Sequence, residues 1–116
     1  MTRNGFFYQK TVNLTQILKS GFINPLNLSP MMKVKKPSAE EIEQASAWDT
    51  WSREPSTFSW FYDEKETCYI LEGYAAVEDG QCHRIEFGPG DWVEFAQGLE
   101  CTWTITKTIR KKYRFG

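Results

Sequence analysis

The pattern of apolar and polar positions divides the chain into a polar opening and a long β-type stretch. The first thirty residues are rich in Asn, Thr and Ser, are broken by Gly21 and Asn24-Pro25, and carry one short helical signal at 14–19. They are read as an N-terminal extension over 1–31, with the domain over 32–116. Next, in KVKKPSAEEIEQAS, Ser38 and Glu41 have the spacing of a capping box, which predicts one short, peripheral helix. From Trp48 onward, short β-type runs alternate with turn signals, and strands are expected over 48–53, 57–62, 66–77, 81–87, 91–95, 100–106 and 110–115. Many short strands with tight turns and a single helix indicate an all-β sandwich or barrel.

Period-two alternation assigns faces within these strands. Cys101, Trp103 and Ile105 share one face, and Glu100, Thr102, Thr104 and Thr106 take the other. Phe58, Trp60 and Tyr62 fall together, as do Glu66, Cys68 and Ile70. Near the C-terminus Arg110, Lys112 and Arg114 alternate with Lys111, Tyr113 and Phe115, and the strand is read as a solvated one whose charges guard against edge pairing. Asp79-Gly80 is expected to form a two-residue type I′ hairpin pairing Glu78 with Gln81 and Ala76 with His83. Gly88-Pro89-Gly90 reads as a turn and not a phosphate loop, because a strand follows it and no helix N-terminus is offered.

Charge and composition then exclude several functions. Fourteen Lys and Arg against 15 Asp and Glu give a net charge of −1, so there is no bulk attraction to nucleic acid or to an anionic membrane. No apolar run approaches the ~20 residues of a spanning helix, and the opening MTRNGFFYQK lacks a signal peptide's apolar region. Three cysteines, Cys68, Cys82 and Cys101, are an odd number without CxxC spacing, which points to reduced thiols and a cytoplasmic location. The single histidine, His83, removes His-rich zinc sites and leaves one imidazole as a candidate base, set beside the hairpin tip and away from Cys101. Cys101 is accordingly read as an inward core thiol rather than a nucleophile, and Cys68 and Cys82 as structural.

The informative residue is Glu66, a carboxylate that begins an apolar stripe. Burying an unpaired charge costs several kcal/mol, a large share of the roughly 5–15 kcal/mol a domain has in total, so Glu66 needs a partner. A metal, a hydrogen bond from Tyr62 or from a ligand, or a proton each satisfy that need. Trp60, Tyr62 and Trp103 suit stacking on a planar or sugar ligand with Glu66 accepting its hydrogen bonds; the alternative is aromatic core packing in a filled barrel.

The run WFYDEKETCYILEG at 60–73, with FGPGD at 87–91 and GLECTW at 98–103, resembles a cupin, and in particular the small single-domain cupins related to the ureidoglycine aminohydrolase cupin domain. The resemblance runs from about residue 34 to residue 116 and includes the closing RKKYRF. Glu66, Gly73, Gly90 and Gly98 stand where the two cupin motifs have their glutamate ligand and three of their glycines. Trp60 and Tyr62 occupy the two histidine positions of the first motif and Cys101 the histidine of the second, while Glu54, Ala96 and Ile105 replace a Gly, a Pro and an Asn. The resemblance implies a single jelly-roll barrel whose pocket gathers Trp60, Tyr62, Glu66, Cys101 and Trp103, with Cys101 at its floor. It implies a binder of a small polar or heteroaromatic metabolite with no metal expected. Its alternative is a divalent-metal enzyme acting on a ureido- or amino-containing compound, with Glu66, Tyr62 and Cys101 as ligands. A third reading is a dimeric structural or interaction module, and the resemblance implies a homodimer in each case.

Overall fold

The computed structural model describes residues 31–116. The extension expected over 1–31, with its helical signal at 14–19, therefore lies outside the described residues apart from Met31. The elements run β1 (Met32–Lys35), α1 (Ala39–Ala45), β2 (Asp49–Arg53), β3 (Ser56–Phe61), β4 (Glu66–Asp79), β5 (Arg84–Phe87), β6 (Trp92–Phe95) and β7 (Glu100–Phe115).

The helix starts where the capping box places it. The Ser38 side chain accepts from the Glu41 amide at 3.1 Å and the Glu41 carboxylate accepts from the Ser38 amide at 2.9 Å, satisfying two amide donors at the helix start. With seven residues, the helix depends on that cap and on the fully buried Ala45 more than on its own propensity.

The two long strands β4 and β7 form the spine, pairing antiparallel from Glu66 opposite Phe115 to Asp79 opposite Cys101. At one end of this spine β2 pairs with β7 and β6 with β4, and β1 extends the sheet beyond β6. At the other end β3 pairs with β7 and β5 with β4. The register shifts between Ile70 and Ala75, so the spine bends there and the two ends fold face to face into an all-β barrel. Gly73 makes the bend possible: its φ is +95°, and a Cβ at this position would lie 2.1 Å from the Thr108 carbonyl oxygen.

Three sequence expectations change. The runs at 100–106 and 110–115 are one strand, because Lys107, Thr108 and Ile109 between them carry no breaker and continue the ladder. The sequence reading places no strand at β1; its residues Met32 to Lys35 alternate apolar with polar, but four positions are too few for the pattern to stand out, and the strand pairs with β6 along its whole length. The hairpin after β4 is not a two-residue turn. Glu78 pairs with Arg84 and Ala76 with Glu86, the Asp79 amide donates to the His83 carbonyl at 3.0 Å, and Cys82 has a φ of 70°. These are the marks of a three-residue loop closed by a left-handed residue. Asp79 selects it, since its Oδ1 accepts from the Gln81 and His83 amides at 2.8 and 3.0 Å and its Oδ2 lies 2.7 Å from His83 Nδ1. Cys82 is thus an exposed loop residue and not a structural one.

Candidate functional site

The bend in the spine turns the inner faces of β2, β3 and the second half of β7 toward one another. Odd-numbered positions of β7 point inward through Trp103, Ile105, Ile109 and Lys111, each 4% exposed or less. Trp103 is the centre of an aromatic cluster: Phe58 stacks on it with centroids 5.9 Å apart, while Phe95 and Phe87 approach at 5.6 and 5.5 Å. Tyr62 stacks on Phe95 at 4.8 Å, and its hydroxyl accepts from Trp103 Nε1 at 3.2 Å.

This cluster leaves a cavity of about 300 Å³. Trp51, Phe58, Trp60, Tyr62, Trp103, Tyr113 and Phe115 form its walls, and Arg53, Glu66 and Lys111 bring its charges. Trp60 and Phe115, 48% and 46% exposed, stand at the rim, whereas Trp103, Tyr62 and Glu66 are buried. Four of the five residues singled out in the sequence, Trp60, Tyr62, Glu66 and Trp103, line the cavity. Cys101 does not. It is buried opposite Trp60 in the ladder, and its Sγ lies 3.6 Å from the Trp60 carbonyl, so this thiol is spent on backbone rather than forming a pocket floor.

The partner that Glu66 requires is Lys111. Their side chains are each about 5% exposed, and Lys111 Nζ donates to Glu66 Oε2 at 2.8 Å. Strand register explains how they meet. Lys111 lies opposite Ile70, Cys68 is two residues nearer Glu66 on β4, and the long lysine chain runs along the strand over Cys68 to the acid. On the way Nζ comes within 3.5 Å of Cys68 Sγ, which itself lies 3.2 Å from Glu66 Oε2. The Trp51 and Trp103 rings flank the ammonium, each with its centroid 4.8 Å away, adding cation–π attraction in place of lost hydration. The C-terminal stretch read as a solvated strand therefore buries one of its cations. The signal was present, because Lys111 shares the stripe of Tyr113 and Phe115, but no one-dimensional pattern joins it to an acid 45 positions away.

Burial alone would lower the Lys111 pKa; Cys68 first and then Glu66, through electrostatic attraction and their hydrogen bonds to the ammonium, outweigh it and hold the group above the usual lysine value. Burial pushes the Cys68 thiol far up and keeps it protonated. Cys101 is pushed up to about 11, by burial first and then by Asp79 and Glu66. Burial, reinforced by the charge of Glu66, also raises Tyr62 well beyond the ordinary phenol range, so its hydroxyl keeps its proton.

These states bear on the metal set of Glu66, Tyr62 and Cys101, and the residues do not fit one. Glu66 is neutralised by an internal ammonium, Tyr62 is a phenol whose oxygen accepts from an indole, and the Cys101 thiol is outside the cavity lining. Among the described residues no three His, Cys, Asp or Glu side chains converge to hold a metal ion.

Two polar valences in the cavity remain open. Among the described residues the Tyr62 hydroxyl has no acceptor for its hydrogen, and Glu66 Oε1 accepts no hydrogen bond. Buried polar groups are nearly always satisfied, and Tyr62 and Glu66 both line this hollow, so the two open valences leave room for further polar contacts inside aromatic walls. Sequence reading missed Trp51, Arg53, Phe58, Tyr113 and Phe115 as lining residues; for Phe58 the shared parity with Trp60 and Tyr62 was the available clue.

Comparison with known proteins adds the family context. The sequence model of the EutQ-like cupin domain matches residues 40–113. Among solved structures, a DUF861 family protein from Thermotoga maritima is 37% identical, with 73% of this chain and 99% of that one covered and a TM-score of 0.71. A DUF861 family protein of unknown function from Pseudomonas syringae pv. tomato is 28% identical over 58% of this chain and 29% of its own, at a TM-score of 0.53. The Clostridium difficile EutQ protein shares the fold at 15% identity and a TM-score of 0.53, over 57% of this chain and 52% of that one. No curated protein matches the chain.

Proposed function

Since the chain belongs to the EutQ-like cupin domain family, we propose that its barrel is a binding module that takes a small polar or heteroaromatic metabolite into the aromatic cavity without a metal ion. The observation that carries this reading is the pair of open valences, the Tyr62 hydroxyl and Glu66 Oε1, set within walls that include Trp60 and Trp103. A filled barrel would offer neither the space nor the unsatisfied groups. Tyr62 donates to a ring nitrogen or carbonyl, Glu66 accepts from an N–H, and the indoles supply apolar faces for a planar body. The resemblance to ureidoglycine aminohydrolase cupins suits a nitrogen-bearing guest. The three free thiols accord with a reducing cytoplasm, and the module is taken to work there as a homodimer.

Ligand-dependent thermal stabilisation tests this reading on the full chain with a panel of one- and two-ring heteroaromatic compounds. A ligand at one hundred times its Kd stabilises by about 2.7 kcal/mol, a readily measured shift. Trp60→Ala is the informative variant, because Trp60 is half exposed at the rim and its loss spares the core. The expected result is a shift in the parent protein that falls at least tenfold in ligand sensitivity in Trp60→Ala. No shift with any panel member, or equal shifts in the two proteins, overturns the proposal.

A further inference from the structure

The charges lining the cavity are unequally employed. Glu66 and Lys111 are committed to each other, and the Lys111 ammonium is closed in by two indole rings. The remaining charge is Arg53, whose guanidinium carbon lies 3.7 Å above the centroid of the Phe58 ring. Stacking covers one face of the group and fixes its plane, leaving the N–H edge as the part that makes contacts. Among the described residues that edge meets no carboxylate. Arg84, by contrast, bridges Glu78 and Glu86, and Arg110 pairs with Glu72 at 3.1 Å. Arg53 therefore stands on the cavity lining as a cation already oriented and without an acid, and the lining carries one net positive charge from Arg53 and Lys111 against Glu66.

We infer that the ligand of this cavity is a heteroaromatic carboxylate whose acid group is received by Arg53 at the mouth while its ring enters between the aromatic walls. The inference rests on the ligand-pocket reading and adds the ligand's charge and orientation to it. A planar fork of N–H donors matches a carboxylate bidentately, a geometry a neutral amide cannot reproduce. Orientation follows from repulsion. A carboxylate placed inward would approach Glu66, whose single compensating cation is already used, whereas at the mouth it gains the guanidinium and keeps some hydration. The ring end then presents an N–H to Glu66 Oε1 and an acceptor to the Tyr62 hydroxyl. Arg53 is exposed, so it binds without the full cost of burying two charges.

Matched acid and amide pairs test the charge separately from the pocket. Titration calorimetry on the full chain uses imidazole-4-carboxylate against imidazole-4-carboxamide and benzimidazole-5-carboxylate against benzimidazole-5-carboxamide, whose rings carry both an N–H and an acceptor nitrogen, with the parent, Arg53→Gln and Arg53→Lys. Each acid is expected to bind the parent at least tenfold more tightly than its amide. Arg53→Gln is expected to abolish that gap while leaving amide binding within about twofold, and Arg53→Lys to keep part of it because a point charge replaces the fork. Amides that bind the parent as well as acids, or a preference for acids that survives in Arg53→Gln, overturn the carboxylate assignment and leave the pocket reading standing. Absence of binding by every probe overturns both. An unchanged thermal midpoint in Arg53→Gln establishes that the exposed substitution has not altered the fold.

Discussion

A single buried ion pair determines much of the chemistry inside this barrel. Removing one member leaves the other charged in an apolar setting, which typically costs about 3–5 kcal/mol, whereas replacing both with apolar groups is often neutral. Lys111→Met is therefore expected to lose about 3–5 kcal/mol in urea denaturation, and Glu66→Met/Lys111→Met to recover most of the loss; equal loss in both would show that the pair is not coupled. The pH dependence has a definite sign. Lys111 is raised above its unfolded value of about 10.4, so its contribution is complete below that pH and is lost as pH rises through the higher folded value. The gap between parent and the double variant Glu66→Met/Lys111→Met, which carries neither titrating group, should accordingly stay constant from neutrality to about pH 10 and shrink above it. Thiol chemistry separates in the same way. At pH 8, in the parent's native state, one equivalent of thiol is expected to react quickly with a disulfide reagent, from exposed Cys82, while buried Cys68 and Cys101 respond only in denaturant. Rapid reaction of two or three equivalents would contradict the burial described. At this scale the sequence revealed the need but not the answer. The alternation marks Glu66 as an inward acid, and Lys111 can be named as its partner only once the β4–β7 register is known.

Among the elements, the β4–β7 spine decides whether there is a cavity at all, and its bend depends on Gly73. Any Cβ there meets the Thr108 carbonyl, and a positive φ is costly for every other residue but Asn or Asp. Gly73→Ala is expected to destabilise the domain by at least about 2 kcal/mol and to reduce ligand-dependent stabilisation with it, read by chemical denaturation and thermal shift. A neutral outcome would mean the spine can straighten without closing the cavity. The elements differ in how plainly they could be read. Strong alternation made the core of β7 visible, and the capping box fixed the start of α1, because both are local patterns. Asp79-Gly80 reads as a two-residue turn because that dipeptide is the commoner signal for one. The Asp79 carboxylate instead organises the amides of Gln81 and His83, a three-dimensional preference that competes with the turn propensity. The strand β1 escaped notice because its identity comes from pairing with β6, not from its own four residues.

At the level of the whole molecule, the question is which part of the chain is needed for the fold. The Thermotoga relative is covered over 99% of its length by 73% of this chain, so a domain of that extent forms this architecture elsewhere in the family. A chain starting at Met31 keeps β1 through β7 and α1, and with them the bond from the Ala96 amide to the Met31 carbonyl at 2.8 Å, which ties β1 to the end of β6. Deleting residues 1–30 is thus expected to move the thermal midpoint by less than about 4 °C, since 1 kcal/mol shifts a domain of 60–100 residues by roughly 4–8 °C. A larger fall would assign the extension a place in the stable core. The same truncated protein tests the proposed dimer. The strands β1 and β2 end the main order of the sheet, and a strand edge is a natural place for a second chain to add. If association is made by barrel edges, light scattering gives the truncated protein twice its monomer mass, as for the full chain. A dimer that falls to monomer on truncation would instead place the association in the extension, with the barrel and its aromatic cavity complete in each single copy.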